Sequence, residues 1–164
     1  MRGLRVLIIL ALFVGVASCS NSKFRTYNGP QVTQINVYKS SRTLQLLHHN
    51  RVLETFEFEL GFAPAGHKTF EGDGRTPEGY YFIDRRNPNS EFHLSLGISY
   101  PDAEDLARAL EMELDPGGDI FIHGTPQMFR GKDDWTAGCI AVSNRDMEKI
   151  YAMVQTGTRI AIYP

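Results

Sequence analysis

Apolar and polar residues alternate along three successive segments between residues 34 and 60. In the first segment Ile35 and Val37 fall on one face, and polar residues separate them. A period of two residues is typical of a β-strand with one buried face. The polar link Ser40–Arg42 between the first two segments predicts a hairpin. The third segment, residues 53–60, repeats the alternation, so we expect at least three neighbouring antiparallel strands.

Later segments add more strands and two short helices. Apolar runs predict four further strands, at residues 80–84, 91–99, 119–122 and 158–163. Helical spacing of leucines predicts a helix over residues 102–114, and we expect its apolar stripe to pack against the sheet. Ser143 and Asp146 have the spacing of a capping box, which predicts a second helix that stops near Gly157. The fold class is therefore mainly β with two short helices, an α+β domain.

The first nineteen residues have the pattern of an export signal. Two arginines precede the apolar run 6–16, which is too short to cross a bilayer comfortably as a permanent helix. The ending Val16-Ala17-Ser18-Cys19 resembles the lipobox of bacterial lipoproteins, and an ordinary signal cleaved nearby is the alternative. The expected division is a signal peptide at 1–18, lipidated Cys19 with a tether at 19–31, and a folded domain at 32–164. This division implies a protein of the cell envelope, lipid-anchored to a membrane and facing the periplasm, with Ser20 permitting the outer membrane in a diderm bacterium.

The charge balance argues against a polyanionic partner such as a nucleic acid. The chain has 17 Lys and Arg against 19 Asp and Glu, and removal of residues 1–18 takes away two arginines, so 15 basic and 19 acidic groups remain, a net charge of −4. No basic cluster stands out, which argues against a nucleic-acid partner. The two cysteines lie in unrelated contexts, so a disulfide scaffold is not expected either.

The second cysteine and one histidine form a candidate catalytic pair. His123-Gly124 ends an apolar strand, and Cys139 ends a polar loop before the second helix. An imidazole beside a thiol can take its proton and so generate the nucleophile. The N–H groups around Gly138-Cys139 could stabilise an oxyanion. Residue types alone leave open the alternative that Cys139 is a small buried apolar side chain and His123 a structural histidine.

Three motifs resemble the YkuD-type L,D-transpeptidase domain. His123-Gly124 followed after a spacer by Thr136-Ala137-Gly138-Cys139 is similar to that family's His-Gly and Ser/Thr-x-Gly-Cys signature. The stretch 72–79 matches its Gly-Asp-x-x-Thr-Pro-x-Gly pattern, and residues 92–101 and 135–142 resemble the branch of murein transpeptidase-like hydrolases. The resemblance extends from about Ile35 to Tyr163. It implies a mixed β-sandwich with a catalytic cysteine in a cleft.

The same resemblance implies a reaction and a role for each candidate site residue. It implies acyl transfer through a thioester on peptidoglycan stem peptides, with Cys139 as nucleophile, His123 as base and the Gly138 and Cys139 N–H groups as oxyanion site. No cofactor and no metal are expected. Residues expected beside the substrate are Thr136, Gly124, His93 and Arg75. His93 and Arg75 have structural alternatives, as a satisfied strand histidine and a solvated loop charge.

Two departures from the family pattern keep the exact reaction open. Ala137 stands where the family commonly has His before Gly-Cys, and Ala141 stands where an Arg is common two positions after the cysteine. The leading hypothesis is a transpeptidase that forms cross-links. A hydrolase or amidase with the same nucleophile, which could release a wall-linked lipoprotein, is the rival, and a non-catalytic wall-binding lipoprotein is the third hypothesis.

Overall fold

A computed structural model describes residues 22–164 as eight strands and two helices. The signal sequence and Cys19 lie outside the described residues. The elements, in chain order, are β1 (Gln34–Tyr38), β2 (Thr43–His48), β3 (Arg51–Glu57), β4 (Gly79–Asn87), β5 (Ser95–Ile98), α1 (Ala103–Glu111), β6 (Phe121–Gly124), β7 (Ile140–Val142), α2 (Asn144–Met153) and β8 (Arg159–Tyr163). The mainly β class with two short helices is confirmed.

All eight strands belong to one mixed sheet that is nearly closed. Their order across the sheet is β3-β2-β1-β8-β4-β5-β6-β7, with parallel pairing only between β1 and β8 and between β6 and β7. The chain that continues from β3 returns to the opposite edge, where Glu59 bridges Ala141 and Gly61 bridges Thr136. The start of β7 is therefore held between β6 and this returning segment, which removes an exposed edge at the site.

A single apolar core fills the inside of the sheet. Ile35 and Val37 are fully buried, as their alternation predicts, and Phe58 and Leu60 in the returning segment are buried as well. Helix α2 packs on β5 and β6 and turns Met147 and Ile150 into the core. Ser143 caps α2, since its hydroxyl accepts the Asp146 N–H at 3.1 Å.

Several expected boundaries are wrong. The strand expected at 91–99 is only β5, because Glu91–Leu94 forms a turn in which His93 has φ 74°. The Phe92 carbonyl in this turn accepts the Gly124 N–H at 3.0 Å, so the turn is bonded to the end of β6. Strand β7 lies within the stretch expected to be loop, because a strand of three residues is too short to show a period. Helix α2 ends at Met153, earlier than expected.

The leucine stripe of α1 faces solvent, which contradicts the expected packing. The exposed fraction is 52% for Leu106 and 78% for Leu110. The helix instead buries Asp105 and Ala109. The Asp105 carboxylate accepts hydrogen bonds from the Tyr81 hydroxyl at 2.9 Å and from Arg108 at 2.6 Å. The sheet surface below α1 thus presents a polar hydroxyl, which an aspartate satisfies and a leucine cannot.

Residues 22–31, expected to be a tether, pack on the domain. The Lys23 ammonium donates to the carbonyls of Pro88 and His93 at 2.7 and 3.0 Å. The Arg25 guanidinium donates twice to one carboxylate oxygen of Glu148, at 2.6 and 2.9 Å. This segment forms neither helix nor strand, as its lack of periodicity predicts, but it is bound to the body. Over the described range, neither helix has the length and apolar character needed to cross a bilayer.

Candidate active site

His123 and Cys139 lie on neighbouring chain segments in the nearly closed sheet. His123 is in β6 and pairs in register with Ala141 of β7. Cys139 immediately precedes β7 and is two residues before Ala141, an offset of about 6.6 Å along an extended chain. The pairing of β6 with β7 therefore places the residue predicted as nucleophile two register positions from the residue predicted as base.

The hydrogen bonding of His123 fixes its tautomer. Its Nδ1 lies 2.7 Å from the carbonyl oxygen of Gly124. Because a carbonyl can only accept, Nδ1 must carry the proton, and Nε2 is left with the lone pair. Burial lowers the pKa of His123, and the bond to Gly124 opposes that shift only in part. The imidazole is therefore neutral at pH 7, with Nε2 ready to accept a proton.

Aromatic side chains hold the His123 ring in place. The Phe92 ring lies 4.5 Å from it between centroids, and the Trp135 ring lies at 5.6 Å. The Trp135 ring is in turn stacked on Phe129 at 4.1 Å with an interplanar angle of 7°. Only 3% of His123 is exposed. A ring fixed by its neighbours keeps the catalytic nitrogen oriented without a reorganisation cost during reaction.

The Cys139 thiol is protonated in its present surroundings. Burial raises the pKa of this thiol above its usual value, and the Phe121 backbone lowers it only in part. Its Sγ lies 3.5 Å from the Asp119 carbonyl oxygen. The pair is thus a neutral thiol and a neutral imidazole, which suits proton transfer during the attack rather than a preformed ion pair. Catalytic contacts of this kind commonly tighten only when substrate is bound.

The Thr136 hydroxyl organises the loop that carries the nucleophile. Thr136 is buried, its Oγ1 donates to the Cys139 carbonyl at 2.8 Å, and the same oxygen accepts the Gly138 N–H at 3.1 Å. Both bonds are internal to the loop, so this hydroxyl acts on the loop rather than on a substrate. The Gly138 N–H is therefore already bonded to Thr136 Oγ1, which corrects the expectation that it is an oxyanion donor. Of the expected pair of donors, the N–H of Cys139 remains.

Glycine is required at position 138 for two reasons. Its φ is 127°, a conformation that side chains disfavour. A Cβ built there would also lie 2.6 Å from the Arg75 carbonyl oxygen. A similar close approach occurs at Gly61, where a Cβ would lie 2.7 Å from the Gly138 nitrogen. The nucleophile loop is thus packed backbone against backbone with two other segments.

The long loop 61–79 supports the nucleophile from one side. Thr76 is buried and donates its hydroxyl to the Gly138 carbonyl at 2.7 Å. The buried Lys39 ammonium donates to the Thr76 carbonyl at 3.0 Å and to Glu78 at 2.8 Å. Lys68 and Asp73 form a second buried ion pair at 3.0 Å. Burial alone would raise the pKa of Asp73, but hydrogen bonds from backbone N–H groups and from Lys68 hold it below its usual range.

The remaining predicted residues lie around this centre, and each makes its own contacts. The Arg75 carbonyl touches Gly138, but its guanidinium lies near Gly66, so its backbone rather than its charge is at the site. His93 lies in the turn at 91–94 and not on a strand as expected, and its Nε2 is 3.0 Å from Glu148. Gly124 lies against Phe92, where a Cβ would be 2.9 Å from the carbonyl oxygen. Its carbonyl orients His123, as described above.

Sequence reasoning missed several residues that complete the site. Phe92 and Trp135 lie inside stretches that resemble the family but carry no reactive group, so no chemical signal marks them. Lys39 follows a strand and reads as a solvated charge. Thr76 belongs to the Thr-Pro stretch, which is the only signal that could have identified it. Among residues 22–164, no cluster of three His, Cys, Asp or Glu side chains is arranged to hold a metal ion.

Known proteins are similar to this chain in sequence. The sequence model of the L,D-transpeptidase catalytic domain, YkuD, matches residues 33–162. The protein named "Putative L,D-transpeptidase YafK" from Escherichia coli K12 is 27% identical over 143 residues, which cover 79% of this chain and 53% of YafK. The chain thus spans about half the length of the curated relatives that it matches.

Solved structures show the same fold. The helical cell shape determining protein Pgp2 from Campylobacter jejuni superposes with a TM-score of 0.64 at 24% identity, over 83% of this chain and 49% of that one. An L,D-transpeptidase from Xylanimonas cellulosilytica gives 0.55 at 17% identity, over 84% and 63%. The family match over most of the chain, with this fold, shows that the chain belongs to the YkuD family of L,D-transpeptidase catalytic domains.

Proposed function

We propose that this protein is a cysteine-dependent acyltransferase that acts on peptidoglycan stem peptides. The observation that carries the proposal is the bond from His123 Nδ1 to the Gly124 carbonyl, because it leaves Nε2 as a base on the strand next to Cys139. Family membership supports the substrate class. The neutral state of both groups supports a mechanism in which the thiol loses its proton as it attacks.

The reaction follows in two balanced steps. Cys139 Sγ bonds to the carbonyl carbon of the scissile amide while its proton moves to His123 Nε2. The N–H of Cys139 would stabilise the oxyanion. The C–N bond then breaks, the leaving amine takes the proton from His123, and a thioester remains. In the second step an amine attacks the thioester, the C–S bond breaks, and the sulfur regains a proton by way of His123.

Hydrolysis of the same thioester is the second candidate. Ala141 lies opposite His123 in register and leaves only a methyl group where the family commonly has an arginine. Ala137 is exposed and is equally small. The loss of both polar side chains leaves fewer groups to bind an amine, and water in place of an amine would make the enzyme a carboxypeptidase or an amidase. A wall-attached lipoprotein is then a further candidate substrate.

The test is a product analysis with the purified chain. Tetrapeptide muropeptides and wall-linked lipoprotein fragments are incubated with the protein, and the products are read by mass spectrometry. Cross-linked dimers support the transpeptidase, whereas loss of the terminal D-alanine or release of the lipoprotein remnant without dimers supports the hydrolase. Cys139→Ala must abolish either product. Turnover that survives this substitution would refute the cysteine mechanism.

We also propose that the protein is exported and lipidated at Cys19, so that it faces the periplasm. The leader pattern supports this location. Lys23 and Arg25 are bound to the domain. A lipid on Cys19 would therefore be joined to the domain by a tether of only a few residues, each spanning about 3.5 Å when extended. Cys19→Ala should move the protein out of the membrane fraction of the producing cells, and retention there would refute a lipid anchor at Cys19.

A further inference from the structure

The outer face of the sheet carries few charges where β2, β1, β8 and β4 lie side by side. Successive side chains of a strand point to opposite faces, and paired residues share a face. Ile35 and Ile160 are paired and buried in the core, so Gln34 and Arg159, which are also paired, lie on the outer face. The register gives the members of this outer platform as Thr43, Gln45, Leu47, Gln34, Asn36, Tyr38, Arg159, Ala161, Tyr163, Tyr80 and Phe82. Arg159 is the only charged residue among them, whereas charged residues make up 22% of the chain.

Aromatic rings cover one side of the outer platform. The Tyr38 and Tyr163 rings are stacked, with centroids 5.2 Å apart and an interplanar angle of 16°. The Tyr80 ring meets the Tyr163 ring edge-on, at 6.4 Å between centroids. The exposed fraction is 76% for Tyr80 and 50% for Phe82. Exposed apolar rings that are grouped on one surface are typical of a binding site.

A shallow cavity of about 200 Å³ lies within the outer platform. Gln34, Tyr80, Phe82, Arg159 and Ala161 contribute to its lining. Ala161 pairs with Tyr80 in register, and its small side chain leaves a depression between larger neighbours. The cavity thus combines apolar ring faces with an amide and a guanidinium. Such a combination can hold a small polar ligand in one orientation.

The polar side chains of the outer platform are matched to hydroxyl groups. Gln34 Nε2 donates to Asn36 Oδ1 at 2.7 Å, and Asn36 Nδ2 donates to the Tyr38 hydroxyl at 3.4 Å. These bonds orient a row of polar groups along β1. Amides and phenols can both donate and accept, as a hydroxyl does, whereas a carboxylate only accepts and an ammonium only donates. A ligand rich in hydroxyl groups is therefore a better match than a charged one.

We propose that the outer platform binds the sugar chain of peptidoglycan, a neutral chain of six-membered rings. Each ring has an apolar C–H face, which would pack on Tyr80 and Phe82. Its rim of hydroxyl and amide groups would bond to Gln34 and Arg159. A nucleic acid would require a cluster of cations, which the platform does not have. The choice of this particular polymer rests on the proposed function, whereas the recognition of a neutral sugar does not.

The outer platform would add affinity for the polymer without entering the reaction. Its strands carry neither Cys139 nor His123, which lie before β7 and in β6. Removal of its exposed rings should therefore raise the KM for sugar-linked stem peptides severalfold and leave kcat unchanged. A free stem peptide carries no sugar, so its KM should not change. A merely structural role of the rings would affect both substrates alike.

Calorimetry with chitotetraose, a linear chain of N-acetylglucosamine, tests the binding directly. The full chain should bind this sugar saturably. Tyr80→Ala and Phe82→Ala should each lose at least fivefold in affinity, and Tyr80→Phe should keep most of it, because it retains the ring. Leu110→Ala is the matched control, since it removes a side chain that is 78% exposed on α1, outside the platform. No saturable binding, or equal affinity in every variant, would overturn the proposal.

Two other occupants of the platform would give different results. A lipid surface would be seen as binding of the wild type to phosphatidylcholine vesicles that Phe82→Ala abolishes. A second copy of the chain would be seen as a dimer in sedimentation equilibrium that the same substitution dissociates. Either result, together with no binding of chitotetraose, would overturn the assignment to a sugar.

The sugar site and the proposed function can fail separately. Binding of chitotetraose needs no turnover, so an inactive enzyme that binds the sugar normally would count against the proposed function alone. An active enzyme that binds no sugar would count against the outer platform alone. The same holds if Tyr80→Ala raises the KM equally for sugar-linked and free stem peptides.

Discussion

Replacement of Thr136 by valine removes two hydrogen bonds from the nucleophile loop at nearly constant volume. The Gly138 N–H and the Cys139 carbonyl then lose their partner in a buried place. An unsatisfied buried group costs about 1 to 3 kcal/mol. The pair should therefore lower the free energy of unfolding by about 2 to 6 kcal/mol. A domain in the middle of the ordinary range of about 5 to 15 kcal/mol remains folded after this loss.

The effect on activity should exceed the effect of simple destabilisation. The same two bonds hold the Cys139 backbone in place, and a shift of 1 Å at a reacting group can cost about 100-fold in rate. Acylation should therefore slow by about 10 to 100-fold in the folded variant. Guanidinium unfolding followed by Trp135 fluorescence gives the stability, and formation of the thioester under single-turnover conditions gives the rate.

Thr136→Ser is the matched control, because it keeps the hydroxyl and removes one methyl group. It should lose only about 1 kcal/mol of stability and retain most of the activity. If the valine and serine variants lose the same free energy of unfolding, the hydroxyl contributes nothing and the reasoning is refuted. If valine costs stability but leaves the acylation rate intact, Thr136 supports the fold without positioning the nucleophile.

Other perturbations address the nucleophile, the base, helix α1 and the segment 22–31. Because burial raises the pKa of Cys139, its alkylation by iodoacetamide should accelerate with pH to an inflection above the ordinary thiol value, and an inflection near neutrality would indicate a preformed thiolate. Because burial lowers the pKa of His123, the stability that its neutral form gives is complete above pH 6.5 and falls as pH drops towards its folded pKa, so acid titration of His123→Gln should show a shallower loss. Leu110→Gln should change the free energy of unfolding by less than about 0.5 kcal/mol, and a larger loss would mean that this exposed side chain packs in solution. Lys23→Met should slow acylation severalfold with little change in unfolding, since Lys23 binds the turn whose Phe92 packs on His123, and an unchanged rate would refute that link.

The sequence predicts the strands where one face is buried. Alternation identifies β1 to β3 because their buried apolar side chains stand at alternate positions, as Ile35 and Val37 and then Leu44 and Leu46 do. It fails for β7, which is buried throughout and too short to show a period. It also misleads at α1, where leucines have helical spacing but Asp105 faces the protein. The burial of Asp105 in place of the leucines depends on a partner from a distant strand, the Tyr81 hydroxyl. The local sequence pattern does not reveal that partner.

In the candidate site, too, some residues can be predicted from the local sequence and others cannot. Cys139 and His123 are recognisable because their functional groups are reactive and their neighbours match a family signature. The residues that orient them are unreactive or use their backbone, as Phe92 and Gly124 do. The commitment of the Gly138 N–H to Thr136 follows from the path of the loop, and no property of the residue types predicts it.

The pairing of the first strand with the last determines when this domain can fold. Ile35 pairs with Ile160, 125 residues later, so one side of β1 has no partner until nearly the whole chain is present. The hairpins of β1 to β3 can form early, but the closed sheet cannot, and such long-range pairing slows folding. The sheet that carries the nucleophile loop is therefore complete only after the final strand has docked.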